Sequence, residues 1–262
     1  DKSSMGANAT LAISLAAAHV SAKNKNINLY EHFSRIYSDI TGKRNKYSLP
    51  MPMLNILNGG EHADNNVDIQ EFMIVPSGAK DFAQVMKWSM EIYHNLKNIL
   101  SSKNYSTAVG DEGGFAPNLK SNEEAIELII ASIETTKLKP GEDVNIALDC
   151  AATEFFDGNN YVLDGDNQKY SSEEFTEYLD SLITKYPIIS IEDAMDENDT
   201  DGWKMITKKL GKKCQLVGDD LFVTNKNIFQ EGINKKLANS ILIKFNQVGT
   251  ITETIETINC AR

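Results

Sequence analysis

At 262 residues, 41% apolar and 24% charged, the chain carries enough apolar material for a full core, as one large domain with an appendage or as two domains. A formal net charge of −11 argues against nucleic acid and anionic membrane as partners, while an anionic substrate stays admissible where a bound cation reverses the local field. No apolar run approaches the roughly 20 residues of a membrane span. Cys150, Cys214 and Cys260 form no CxxC or Cys/His cluster, which suits buried thiols in a reducing cytoplasm better than disulfides or a zinc site.

In chain order, residues 6–38 read as helix, first an Ala-rich stretch (Ala9 to Ala18) and then a second piece around Leu29 to Tyr37. The polar, basic segment Thr41 to Ser48, followed by Pro50 and Pro52, predicts a domain boundary, giving domains 1–48 and 49–262. Beyond it, short apolar runs alternate with amphipathic stretches. The runs are Pro52–Leu57, Ile69–Val75, Tyr105–Val109, Val144–Leu148, Pro187–Ile191, Cys214–Val217 and Ser240–Ile243. Helices are expected near 81–102, 122–138, 172–185, 200–210, 225–237 and 250–261. Asp81, Ser121 before Glu124, and Ser171 before Glu174 supply start signals. The Met and aromatic positions at 82–93 read as a helix core face. Alternating strands and helices imply an α/β fold with a parallel sheet under helices. The first two runs, only about a dozen residues apart, are too close for a helical crossover and should pair antiparallel.

The later runs end in acidic or basic residues. Val109-Gly110 leads to Asp111 and Glu112, Leu148 to Asp149, Ile191 to Glu192 and Asp193, Gly218 to Asp219 and Asp220, and Ile243 to Lys244. A strand exiting into solvent explains one such residue. Five in series suggest a β/α barrel, where strand C-termini share one rim that carries the active site. Converging carboxylates repel unless protonated or bridged by metal, and oxygen-only donors favour Mg²⁺ or Mn²⁺ over zinc.

Seven segments then resemble the enolases, in their order and at similar separations. They are Asn55 to His62, Gln70-Glu71-Phe72-Met73, Gly110 to Asn118, Ala147 to Ala151, Ser190 to Asp193, Gly218-Asp219-Asp220-Leu221 and Leu242 to Gln247. The stretch Ser3 to Ala18 is also similar to the helical end of the enolase N-terminal domain. The resemblance implies an enolase-type β/α barrel, incomplete here, preceded by the end of an α+β N-terminal domain. The implied reaction is the reversible dehydration of 2-phosphoglycerate to phosphoenolpyruvate in glycolysis and gluconeogenesis.

Carried over position by position, the resemblance makes Asp149, Glu192 and Asp219 ligands of the first of two Mg²⁺ ions. Lys244 becomes the base that removes the C2 proton, and Glu112, supported by Glu71, the acid that helps the C3 hydroxyl leave. Gln70 and His62 lie on the substrate side, and Gly59 to Asn66 forms a mobile lid. Losing a proton beside a carboxylate creates a dianionic enediolate, which divalent cations stabilise. Enolases are usually dimers or octamers in the cytoplasm, and some serve as surface protein-binding factors. Another enediolate-forming enzyme, a dehydratase or racemase, is the nearest alternative, and Glu112 with Gly113-Gly114 and Lys244 before Phe245-Asn246-Gln247 favours enolase. The implied serine loop, His-Arg-Ser segment and second lysine fall outside these residues. The 262-residue chain by itself is therefore expected to be a fragment, inactive or poorly folded.

Overall fold

The structure is a computed structural model that describes Lys2, residues 4–44 and residues 46–262. Asp1, Ser3 and Asn45 lie outside the described residues, and with them the first residue of the Ser3–Ala18 resemblance and one position of the boundary segment. The chain forms two compact units, one of residues 1–48 with 218–262 and one of residues 49–217. The first unit starts with α1 (Gly6–Asn24) and α2 (Leu29–Thr41). The Glu31 carboxylate reaches back to accept from Asn28 N (2.8 Å), satisfying a donor that the first helical turn leaves over. Gly42, at φ 71°, ends α2 in the left-handed conformation that glycine adopts without a side-chain clash.

The second unit holds β1 (Leu54–Asn58), β2 (Glu71–Val75), α3 (Phe82–Ser102), α4 (Asn122–Thr135) and β3 (Asn145–Asp149). It continues with β4 (Tyr161–Leu163), β5 (Gln168–Tyr170), α5 (Ser172–Lys185), β6 (Ile188–Glu192), α6 (Thr200–Leu210) and β7 (Gln215–Gly218). The three predicted caps form: Asp81 accepts from Gln84 N, Ser121 from Glu124 N and Ser171 from Glu174 N. In the sheet, β1, β2, β3, β6 and β7 follow one another as neighbours. The first pair is antiparallel, as expected, and β3–β6–β7 run parallel. Ile74, Ile146, Leu148, Ile191 and Leu216 are fully buried. Each such side chain contributes roughly 1.5–3 kcal/mol relative to an exposed one.

Two expectations need correction, and one pair of strands is new. Tyr105–Val109 is not a strand. Its only ladder contact is an isolated bridge from Val109 to Phe115, and Val109 is 55% exposed, so the run has no apolar face to bury. Helices α3 and α4 pack directly on each other across it. The chain thus makes two helices between β2 and β3, and β2 pairs antiparallel with β3, with Glu71 opposite Asp149. The hairpin β4–β5 was not foreseen. Finally, the buried face of α3 is Val85, Ser89, Ile92, Leu96 and Leu100, whereas Phe82, Met86 and Met90 are exposed.

The first unit resumes with α7 (Lys226–Lys235), β8 (Ser240–Ile241), the single turn α8 (Phe245–Val248) and α9 (Ile251–Ala261). Leu11, Tyr37, Ile251 and Ile255 form its core, with Leu15, Phe33, Ile36 and Ile258 packed around them. No helix among the described residues is long and apolar enough to cross a membrane. All three cysteines are free thiols. Burial, reinforced by the Asp149 carboxylate, pushes the Cys150 thiol far up, and burial pushes Cys214 up to about 12.

Candidate active site

The acidic strand ends of the second unit are built by the ladder itself. Asp149 and Glu192 are the last residues of β3 and β6 and sit opposite each other in the parallel register. Cys150 N donates to Glu192 O (2.9 Å) and Gln70 N to Asp149 O (3.0 Å), so main-chain bonds hold both backbones. The Asp149 carboxylate takes a bond on each oxygen: Ala151 N on Oδ1 (2.9 Å) and Gln70 Nε2 on Oδ2 (3.2 Å). Both acids are buried, at 6% and 8% exposure. Immediately past them the chain adopts left-handed backbone at non-glycine residues, Ala151 (φ 44°) and Asp193 (φ 39°). Such conformations cost on the order of 1–3 kcal/mol and persist where surrounding bonds over-determine them. Here Asp193 N donates to Val217 O (2.9 Å) and Ala152 N to Asp193 O (3.0 Å).

A second group stands on loops. His62 closes a single 3₁₀ turn, Gly60–His62, and Glu112 lies on the exposed turn after Gly110. Glu71 opens β2, paired with Asn58 on one side and Asp149 on the other. One donor atom each from His62, Glu71 and Glu112 falls within 4.8 Å of the others, and His62 Nδ1 is 3.3 Å from Glu71 Oε1. Glu112 therefore reaches its place from a loop and not, as expected, from a strand end. Main-chain bonds dock that loop on β1: Phe115 N donates to Ile56 O (3.0 Å) and Asn58 N to Phe115 O (2.9 Å). The Phe115 ring stacks on Tyr93 at 4.4 Å between centroids. A side chain at Gly114 would meet Asn58 Oδ1 at 2.5 Å and Leu57 N at 2.8 Å, so only glycine allows this approach.

In the first unit, Asp219 follows β7 and Lys244 follows β8. The Lys244 ammonium pairs with Asp219 Oδ2, and Gln247 Nε2 donates to Asp219 Oδ1 (2.8 Å). The buried Thr224 hydroxyl accepts from Lys244 N (2.8 Å) and donates to Gln247 Oε1 (2.9 Å), fixing both partners of the carboxylate. Burial, with the neighbouring Asp219 charge, raises the Asp220 carboxyl above its ordinary value, and Lys244 opposes this.

Each predicted residue is thus found in one of three groups: Gln70, Asp149 and Glu192; His62, Glu71 and Glu112; Asp219 and Lys244. Gln247 and Thr224 were missed as site residues. Gln247 stood inside a recognised motif, whereas nothing in the sequence marks Thr224, whose hydroxyl partners lie 18 or more residues away.

Parallel strands alternating with helices, with carboxylates at the strand C-termini, define a β/α-barrel protein whose candidate site lies on that rim. Residues 46–262 match the family described as the enolase C-terminal TIM barrel domain, and the chain belongs to that family.

Proposed function

We propose that this protein catalyses the reversible dehydration of 2-phospho-D-glycerate to phosphoenolpyruvate, a hydro-lyase reaction through an enediolate. The observation that carries this reading is the double role of Glu71. Its backbone pairs with Asp149 in the strand-end group, while its carboxylate lies beside His62 and within reach of Glu112. An acid–base group and a carboxylate platform are thereby joined through one residue, which sets a proton donor near the acids, an arrangement suited to an elimination next to a carboxylate.

Asp149, Glu192 and, by resemblance, Asp219 are the proposed Mg²⁺ ligands. The fit is chemical: the candidates offer carboxylate oxygens only, and Asp149 is already oriented by two donors. When bound, Mg²⁺ supplies positive charge to the substrate carboxylate as the C2 proton leaves. Lys244, as the neutral amine and not as the ammonium that pairs with Asp219, takes that proton at Nζ. Glu112 gives a proton to the departing C3 hydroxyl, with Glu71 holding the carboxyl in place. His62 and Gln70 orient the substrate. We further assign residues 1–48 to the end of an N-terminal domain and 49–262 to the barrel, in a cytoplasmic homo-oligomer.

The test, made on the protein purified from its native source and not on these 262 residues by themselves, is product formation from 2-phosphoglycerate with Mg²⁺ and after chelation. Phosphoenolpyruvate is expected only with metal. Racemisation or dehydration of an acid sugar, without turnover of 2-phosphoglycerate, would replace this reading with a different enediolate chemistry.

A further inference from the structure

His62 and Glu112 sit on loops that lie outside the sheet ladder, yet their donor atoms are held within 4.8 Å of Glu71 and of each other. One main-chain bond joins the loops, from Asp111 N to His62 O (2.9 Å). The remaining links are made by asparagine side chains. The Asn66 carboxamide faces the Leu119 peptide in a reciprocal pair. Leu119 N donates to Asn66 Oδ1 (2.8 Å), and Asn66 Nδ2 donates to Leu119 O (2.7 Å). Asn66 N also donates to Asn118 Oδ1 (3.1 Å). The side chain therefore imitates a neighbouring strand at a place where no strand exists. Next to it, Asn65 Nδ2 donates to Asn58 O (2.9 Å), tying the same loop to the end of β1.

We propose that Asn66 is a positioning residue: by pairing with the Leu119 peptide it anchors the far end of the Gly59–Asn66 loop, which bears His62, to the loop bearing Glu112. Asn66 is four residues from His62, and Leu119 is seven from Glu112, so the clasp acts through short lengths of chain. An amide paired with a peptide group fits this task because it supplies one donor and one acceptor in a plane, as a backbone segment does. Losing both bonds lowers the population of the closed arrangement, and a binding- or reaction-competent fraction that falls lowers the observed rate in proportion. The catalytic part of this inference rests on the proposed reaction, whereas the clasp itself does not.

The experiment compares the protein with its Asn66→Ala variant, ligand-free, by amide hydrogen exchange. Exchange at Asp111 N, whose bond to His62 O closes the two loops, should rise about tenfold, the size expected for loss of a net hydrogen bond or two. Exchange at Ile146 and Leu148 in the ladder should stay unchanged. Asn66→Asp, which keeps the acceptor and sets a carboxylate against Leu119 O, should behave like Asn66→Ala and serves if that variant folds poorly. In turnover of 2-phosphoglycerate, kcat should fall about tenfold and its pH profile should move along the pH axis, because Glu112 no longer sits at a fixed distance from His62 and Glu71. Simple loss of folded protein would scale the profile without moving it. Unchanged Asp111 exchange in both variants would overturn the clasp. Raised exchange with kcat within twofold of wild type, or with a scaled but unmoved profile, would overturn the positioning role. If the protein makes no phosphoenolpyruvate at all, the proposed reaction fails and the exchange result alone judges the clasp.

Discussion

The Asp149–Glu192 pair and the His62–Glu112 pair belong to the same compact unit but are held by opposite means. The first stands on adjacent parallel strands, buried, with both backbones fixed by main-chain bonds that any sequence of the same register would make and the Asp149 carboxylate held by Ala151 N and Gln70 Nε2. The second stands on two loops, with Glu112 exposed, and is held by the carboxamides of Asn65 and Asn66 and one glycine-permitted approach. A charge that must stay put is well served by a rigid sheet. A proton donor that must meet a substrate and release product is better served by loops, whose local opening costs less than unfolding a core strand.

If this contrast is right, damage to the two pairs should look different. Asp149→Ala or Glu192→Ala should give the largest effect: loss of measurable turnover and a fall in Mg²⁺ affinity of more than about 100-fold by calorimetry. Retained metal affinity in both variants would remove the strand ends from the metal site. Glu112→Gln, nearly isosteric and on an exposed turn, should lower kcat by about 10²–10⁴ while Mg²⁺ affinity and melting temperature stay at wild-type values. A parallel loss of metal affinity would merge the two groups and break the comparison.

Smaller effects sharpen it. Gly114→Ala forces a Cβ to within 3 Å of Asn58 Oδ1 and Leu57 N. It should destabilise the protein by about 1–3 kcal/mol, read from chemical denaturation, with the Glu112 loop moved off β1. Wild-type stability would show that the loop docks more loosely than these distances imply. The smallest effect concerns the β4–β5 hairpin. Lys169, together with Asn160 and Asn159 backbone donors, holds the Asp157 carboxyl down to about 2. A depressed carboxyl contributes stability above its unfolded value, near 3.9, that is lost as pH falls toward 2. Asp157→Asn should flatten that part of the acid dependence of hairpin exchange. An identical acid profile in the variant would mean that the ion pair, which is exposed, contributes nothing measurable.

Much of the frame could be read before any coordinates. The capping signals at Asp81, Ser121 and Ser171 act within three residues, so local sequence suffices to place three helix starts. Acidic residues after Leu148 and Ile191 follow from strand period and length. Tyr105–Val109 misled because five residues of mixed polarity can serve as a strand or a connector, and burial decides between them. Taking it as a strand hid the α3–α4 pair and with it the antiparallel β2–β3 register. The β4–β5 turn did carry an Asp164-Gly165 signal, but its strands of three residues are too short for alternation to register.

The sequence by itself determined which residue types were available for chemistry and, through periodicity and caps, most of the elements that carry them. It also determined the family, since ordered motifs survive without any knowledge of distance. Only the tertiary structure decided the partners: Asn66 with Leu119 across 53 residues, Thr224 with Lys244 across 20, and Glu112 brought near Glu71 from a loop. The physical reason is range. Helix starts and strand faces are set by neighbours a few residues away, whereas a side-chain amide can satisfy any backbone group the fold brings within about 3 Å, and sequence spacing places no limit on which one that is.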